Sequence, residues 1–228
     1  MNTRRLILLV VLSVAWYVLS ALALAPGWLL AVALLGLPGM LAAAWFGRRA
    51  LDRQPTPDRA LEVTAWVHDA VIALLGSASI AATRLFRAYP GWVLPVPESI
   101  GLALVILSGL LLLASTSNLI LSGLGIPVAI LPTRRLATDW LYKWTRNPIV
   151  LSALLFLVCL GLWLRSAWLV AWTVLLVAPT SVGMLRLFEE RELEIRFGAE
   201  YLSYKAQVPM LFPRILSRTR QHPGNQPS

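Results

Sequence analysis

Apolar runs of about 20 residues, long enough to cross roughly 30 Å of hydrocarbon as an α-helix, recur along this chain. They fall at 6–25, 28–46, 63–82, 99–121, 148–164 and 167–187. No other feature restricts the fold as much, because a backbone inside lipid must satisfy its own hydrogen bonds, and a continuous apolar run does so as a helix. Composition agrees, since 58% hydrophobic and 14% charged residues over 228 positions give more apolar surface than one soluble core of that length hides. The reading is an all-α, polytopic integral membrane protein of about six transmembrane helices, the last two forming a C-terminal hairpin. The third run is the weakest because it carries His68 and Asp69.

The first run, preceded by "MNTRR" and followed by "ALALA", has the outline of a secretory signal. Its apolar stretch exceeds the ~7–15 residues of such signals and further spans follow it, so a retained helix is expected. Orientation follows from the 20 Lys and Arg residues. With both termini cytoplasmic, six spans leave only Arg84, Arg87 and Arg165 outside, whereas demoting the third run divides the basic residues almost evenly. A bacterial inner membrane with both ends inside is the expected location. The net charge of +9 is then a topology signal read by anionic headgroups, and no nucleic-acid-binding motif accompanies it.

Cys159 stands alone in the fifth run, where a small buried hydrophobe is expected rather than a nucleophile. His68 and His222 lack the spacing of metal ligands, and no metal site is expected. Trp28 and Trp92, each in a "PGW" turn on the outer face, read as interfacial anchors. The organisation expected is an N-terminal helical region 1–130, a C-terminal region 131–214 and a disordered basic tail 215–228 with little to bury. The sequence sets no oligomeric state.

The segment "YKWTRNPIVLS", 142–152, opens the fifth run, and "RLFEERELEIRFG", 186–198, closes the sixth. Two antiparallel helices joined by a short turn return their inner ends to one depth, so Arg146 and Asn147 are expected beside Glu189 and Glu190. Asn147 can cap the fifth helix, Pro148 suits its first turn, and the free N–H groups there favour an anion. Arg146 adds a donor fork for a carboxylate, and the two glutamates suit an ammonium or a sulfonium. A zwitterionic amino-acid-like ligand with an extra cation fits both halves, and S-adenosylmethionine is one. The same residues also fit a plainer reading: basic topology signals, an ordinary Asn-Pro helix start and a solvated "EERELEIR" helix.

These motifs resemble the C-terminal half of the isoprenylcysteine carboxyl methyltransferase and phospholipid methyltransferase superfamily over about residues 136–214. Glu189, Glu190, Leu193, Phe197, Gly198, Tyr201, Tyr204, Val208 and Pro209 stand where that family's second motif has its own residues. In the first motif Arg146 and Pro148 match, while Asn147 replaces a His, Val150 a Tyr and Ser152 a Gly. The resemblance implies a membrane enzyme that takes S-adenosylmethionine from the cytoplasm into a C-terminal segment and methylates a lipid or prenyl-type acceptor arriving through the bilayer. It assigns Arg146 and Asn147 to the methionine carboxylate, Glu190 with Glu189 to the ammonium and Tyr201 to closing the pocket. Tyr142 and Pro148 join the cofactor contacts, and Arg146 and Glu189 are the residues assigned to catalysis. Membrane sterol and polyprenoid reductases, which use NADPH, resemble the same pattern, and a non-catalytic protein of this fold is the third reading. His68 and Asp69, being ionisable within a span, are suspects for acceptor handling or for pairing with an arginine.

Overall fold

The computed structural model describes residues 3–22, 25–123 and 135–212, and these are helical apart from short connections. The basic tail 215–228 lies outside them, as does all of 124–134, which includes the start of the expected C-terminal region. The helices are α1 (Thr3–Leu22), α2 (Pro26–Arg53), α3 (Pro57–Ala88), α4 (Glu98–Gly123), α5 (Pro148–Trp163) and a long bent α6 (Ala167–Gln207). A single 3₁₀ turn, Trp140–Lys143, precedes α5. Four of the helices, α2, α3, α4 and α6, are long and apolar enough to cross a membrane. The expected first and fifth spans are shorter apolar helices among the described residues, Val11–Ser20 within α1 and the 16-residue α5. At 1.5 Å per residue α5 reaches about 24 Å, because Pro148 fixes its start and the turn at Leu164–Ser166 ends it.

Proline starts α2 and α3 as well, with Thr56 capping α3 by accepting the Arg59 N–H at 3.3 Å. The two helices pack through small residues: Ala33, Ala44, Ala78, Ala81 and Ala82 are fully buried. At Gly36 a Cβ would stand 2.8 Å from the Leu74 carbonyl oxygen and 2.9 Å from Ala78 Cβ. Such close backbone approach replaces the hydrophobic drive that helices lose in lipid. Polar contacts fasten α1 to α3: Ser13 Oγ donates to Asp69 Oδ2 (2.8 Å), Trp16 Nε1 to Ser77 Oγ (2.7 Å) and Tyr17 OH to the Ile72 carbonyl. Asp69 is therefore a helix-pairing residue, held by a serine of α1, and no arginine pairs with it among the described residues.

The hairpin between α5 and α6 turns at Arg165, which has φ 54°. Ser166 caps α6 by accepting the Leu169 N–H at 3.2 Å, and the loop at 90–94 braces the turn through Leu94 N–H to Arg165 O (3.0 Å) and Ala167 N–H to Trp92 O (3.2 Å). Trp28 and Trp92 are exposed, as anchors at an interface would be. Along α6 two π turns, Thr173–Val177 and Leu185–Glu189, widen the helix. In the first, the Ala178 N–H reaches back five residues to Thr173 O, just ahead of Pro179, whose ring would crowd an ordinary turn. In the second, the Glu190 N–H reaches Leu185 O, and this extra residue per turn sets the facing of the two glutamates.

Two core clusters fill the space between α2, α3 and α6, one around Leu37, Ala78 and Trp172 and one around Met40, Val67 and Phe188. A third joins Tyr142, Tyr201 and Tyr204 at the far end of the hairpin. Gly36→Val should separate α2 from α3 and destabilise the fold by about 1–3 kcal/mol, the usual cost of overpacking. Gly27→Ala, whose added methyl meets nothing within 4 Å, should not. Apparent unfolding temperature of the two variants in one detergent measures the difference.

Candidate functional site

The residues before α5 are tied to the last described residues of the chain. The Arg146 N–H donates to Pro209 O (2.9 Å), and Thr145 Oγ1 and Asn147 Nδ2 both donate to Met210 O, at 3.1 and 3.0 Å. Tyr204 OH donates to Tyr142 O at 2.7 Å, and the Leu141 N–H donates to Asn118 Oδ1 of α4 at 3.1 Å. This clip is possible because α6 reverses at Gly198, with φ 52° and ψ −125°, a conformation that side chains resist. The reversal brings Tyr201, Tyr204 and Val208–Met210 back under the start of α5. Val-Pro ends the helix there, since Val208 is extended ahead of Pro209.

Within this frame Arg146 meets the glutamates as the hairpin geometry requires. Its Nη1 lies 2.8 Å from Glu190 Oε1 and donates to Tyr201 OH at 2.9 Å. Glu190 Oε2 is 2.7 Å from Lys205 Nζ, which also holds Glu194 at 3.1 Å. Glu190 is thus already compensated by two cations. Glu189, its neighbour, is half-buried, and among the described residues no hydrogen bond or ion pair reaches its carboxylate. Arg146 Nε is buried and has no partner. A buried guanidinium N–H without a partner is costly unless something fills the space it faces, and Glu189 lines that same space.

That space is a cavity of about 410 Å³, within the range of small-ligand sites, about 300–1,000 Å³. Its polar end is lined by Arg146, Asn147, Glu189, Glu190, Tyr142 and Tyr201, so six of the seven residues expected from sequence converge on it. Pro148, the seventh, is buried in the first turn of α5 and shapes the wall from behind. The other end runs between the helices as an apolar shaft walled by Met40, Val71, Leu75, Leu154, Leu157 and Val177. Burial holds the Tyr142 phenol well above its usual pKa, with the Glu189 charge adding to the effect, so it remains a neutral O–H group.

Three expectations need correction. Asn147 precedes α5 but makes no capping bond with its side chain, because Met210 O takes its amide. Glu190 is the paired glutamate of the two, leaving Glu189 as the free one. The "EERELEIR" helix is not a solvated face throughout, since Glu192 is 2% exposed and bonds Arg196 at 2.5 Å. Residues that sequence reasoning missed are Lys205, which completes the ion network, and Thr64 of α3, which lines the cavity together with His68. A basic residue one turn after Tyr201 was the available sign for Lys205.

Among characterised proteins, the chain is 36% identical over 91 residues to Methanethiol S-methyltransferase 2 of Bradyrhizobium diazoefficiens. That match covers 40% of this chain and 33% of the relative, so the chain spans about a third of the length of the curated relative it matches. It supports a relationship to methyltransferases. No family model and no solved structure matches.

Because a Cβ at Gly198 would meet nothing within 4 Å, Gly198→Ala isolates the cost of the backbone conformation. The variant should lose about 1–3 kcal/mol of stability. Loss of protection should concentrate in 199–210, read by hydrogen exchange.

Proposed function

We propose that this chain is a membrane methyltransferase that uses S-adenosylmethionine as donor and acts at the cytoplasmic face on an acceptor that partitions into the bilayer. The observation that carries the reading is that Glu189 and Arg146 Nε, neither with a hydrogen-bond partner among the described residues, share the polar end of a cavity whose other end is apolar. Both donor groups have a counterpart there. Arg146, steadied by Glu190 and Tyr201, offers Nε–H to the methionine carboxylate, and Glu189 offers its carboxylate to the ammonium and the sulfonium. Asn147 holds Arg146 in place through Met210, while Tyr142 and Tyr201 wall the mouth and exclude water.

S-Adenosylmethionine, when bound, supplies an electrophilic methyl group on a positively charged sulfur. Arg146 and Glu189 fix its amino-acid end, and the clip over Thr145–Asn147 keeps both at constant separation, so that orientation supplies much of the rate. The apolar shaft removes water from the acceptor, which favours a reaction in which charge is dispersed in the transition state. The relative's name, a thiol methyltransferase, favours a small thiol as acceptor. An unpaired carboxylate in the pocket disfavours an anionic acceptor and is compatible with a neutral one.

Four long apolar helices support an integral membrane protein. With α1 and α5 crossing as well, both termini and the polar mouth lie on the cytoplasmic side, where the donor is available.

S-Adenosylhomocysteine should raise the unfolding temperature of the purified chain and NADPH should not. A shift with NADPH alone would favour a reductase, and no shift with either a non-catalytic protein. Glu189→Gln should weaken S-adenosylhomocysteine binding by about 1.5–3 kcal/mol, the range for a hydrogen bond to a charged group. Isothermal titration of both forms gives the difference.

A further inference from the structure

His68 stands where the polar end of the cavity gives way to the apolar shaft. It lies 11 positions into α3 from Pro57, roughly 16 Å along the helix, and it lines the cavity together with Thr64, Glu189 and Val71. Its Nδ1 is 3.0 Å from the Thr64 carbonyl oxygen. A carbonyl only accepts, so Nδ1 donates to it, and whenever the ring is neutral its lone pair is on Nε2. Among the described residues no partner occupies Nε2. The ring is held edge-on to Phe188, with centroids 6.3 Å apart.

A histidine that lines a ligand cavity, with Nδ1 bonded to a carbonyl, Nε2 without a partner among the described residues and a carboxylate lining the same cavity, has the layout of a general base. We propose that His68 Nε2 takes the proton from the methyl acceptor during transfer, with Glu189 stabilising the imidazolium that results. The proposal rests on the methyltransferase reading with a thiol acceptor.

The step balances without a further reagent. A lone pair of the acceptor sulfur forms the new bond to the methyl carbon. The bond from that carbon to the sulfonium breaks, and its electron pair stays on the departing thioether sulfur. The S–H proton passes to Nε2, while the Nδ1–H remains on the Thr64 carbonyl. Proton and sulfonium charge thereby exchange places within reach of one carboxylate, Glu189, and the pocket gains no net charge.

The test uses the full chain in detergent, with radiolabelled S-adenosylmethionine and two acceptors. One is an alkanethiol that is protonated at the assay pH, and the other an arenethiol acidic enough to be ionised. His68→Asn keeps a donor for the Thr64 carbonyl and removes the base, and His68→Gln serves as a second variant if the first unfolds. The expected result is a fall in turnover of about 10²–10⁴-fold with the alkanethiol. Turnover of the arenethiol should stay close to the parent's, and S-adenosylhomocysteine should give an unchanged thermal shift. Equal losses with both thiols, or no loss with either, overturn the role of His68. Methyl transfer by the unaltered chain to an acid and to neither thiol also overturns it, and leaves the methyltransferase reading standing. An unaltered chain that does not respond to S-adenosylhomocysteine removes both.

Discussion

The ion pair between Arg146 and Glu190, 2.8 Å apart, fixes the arrangement of everything around it. It joins the residue just before α5 to the residue that ends the second π turn of α6, and so it locks the two inner ends of the hairpin at one depth. Its side chains are only 9% and 18% exposed. Removing one partner of such a pair leaves an uncompensated charge, at a cost of roughly 3–5 kcal/mol in buried cases. Lys205, delivered by the reversal at Gly198, shares the Glu190 carboxylate and frees Arg146 to direct its Nε elsewhere. The backbone clip from Pro209 and Met210 then keeps the guanidinium from following any ligand outward.

Above this lock, the cavity has two chemically different ends because two kinds of helix surface meet there. α6 brings its charged last turns, and α2, α3 and α5 bring the aliphatic faces that a lipid-embedded bundle must bury. A water-soluble charged donor suits the first, and an acceptor that dissolves in the bilayer suits the second. On the proposed reading, Glu189 is the residue that makes this junction a ligand site. Glu190 and Glu192 have cations within 2.8 Å, whereas Glu189 has none among the described residues. Close packing of α2 on α3 through Gly36 and the alanines opposite keeps the shaft narrow by holding its walls rigid.

Much of this was legible before any coordinates. Apolar run lengths gave the helices, and the short turn after Leu164 obliged Arg146 to meet the glutamates. The glutamates could not be told apart by sequence, because a π turn adds one residue to the helix repeat and rotates Glu189 away from where a regular count puts it. Asn147 read as a cap for a similar reason: capping is a local rule, and its amide is taken by Met210, 63 positions away. The same holds for Asp69, whose serine partner on α1 is 56 positions distant. α5, Pro148–Trp163, follows its apolar run of 148–164 to within one residue.

A double-mutant cycle on Arg146→Met and Glu190→Gln, read by affinity for S-adenosylhomocysteine, tests most directly whether the hairpin builds one site from its two ends. If the two residues act as a unit on a bound ligand, the paired substitutions should depart from additivity by about 0.5–3 kcal/mol. Strictly additive losses, or an affinity indifferent to both changes, would mean that the ion pair and the ligand have nothing to do with each other.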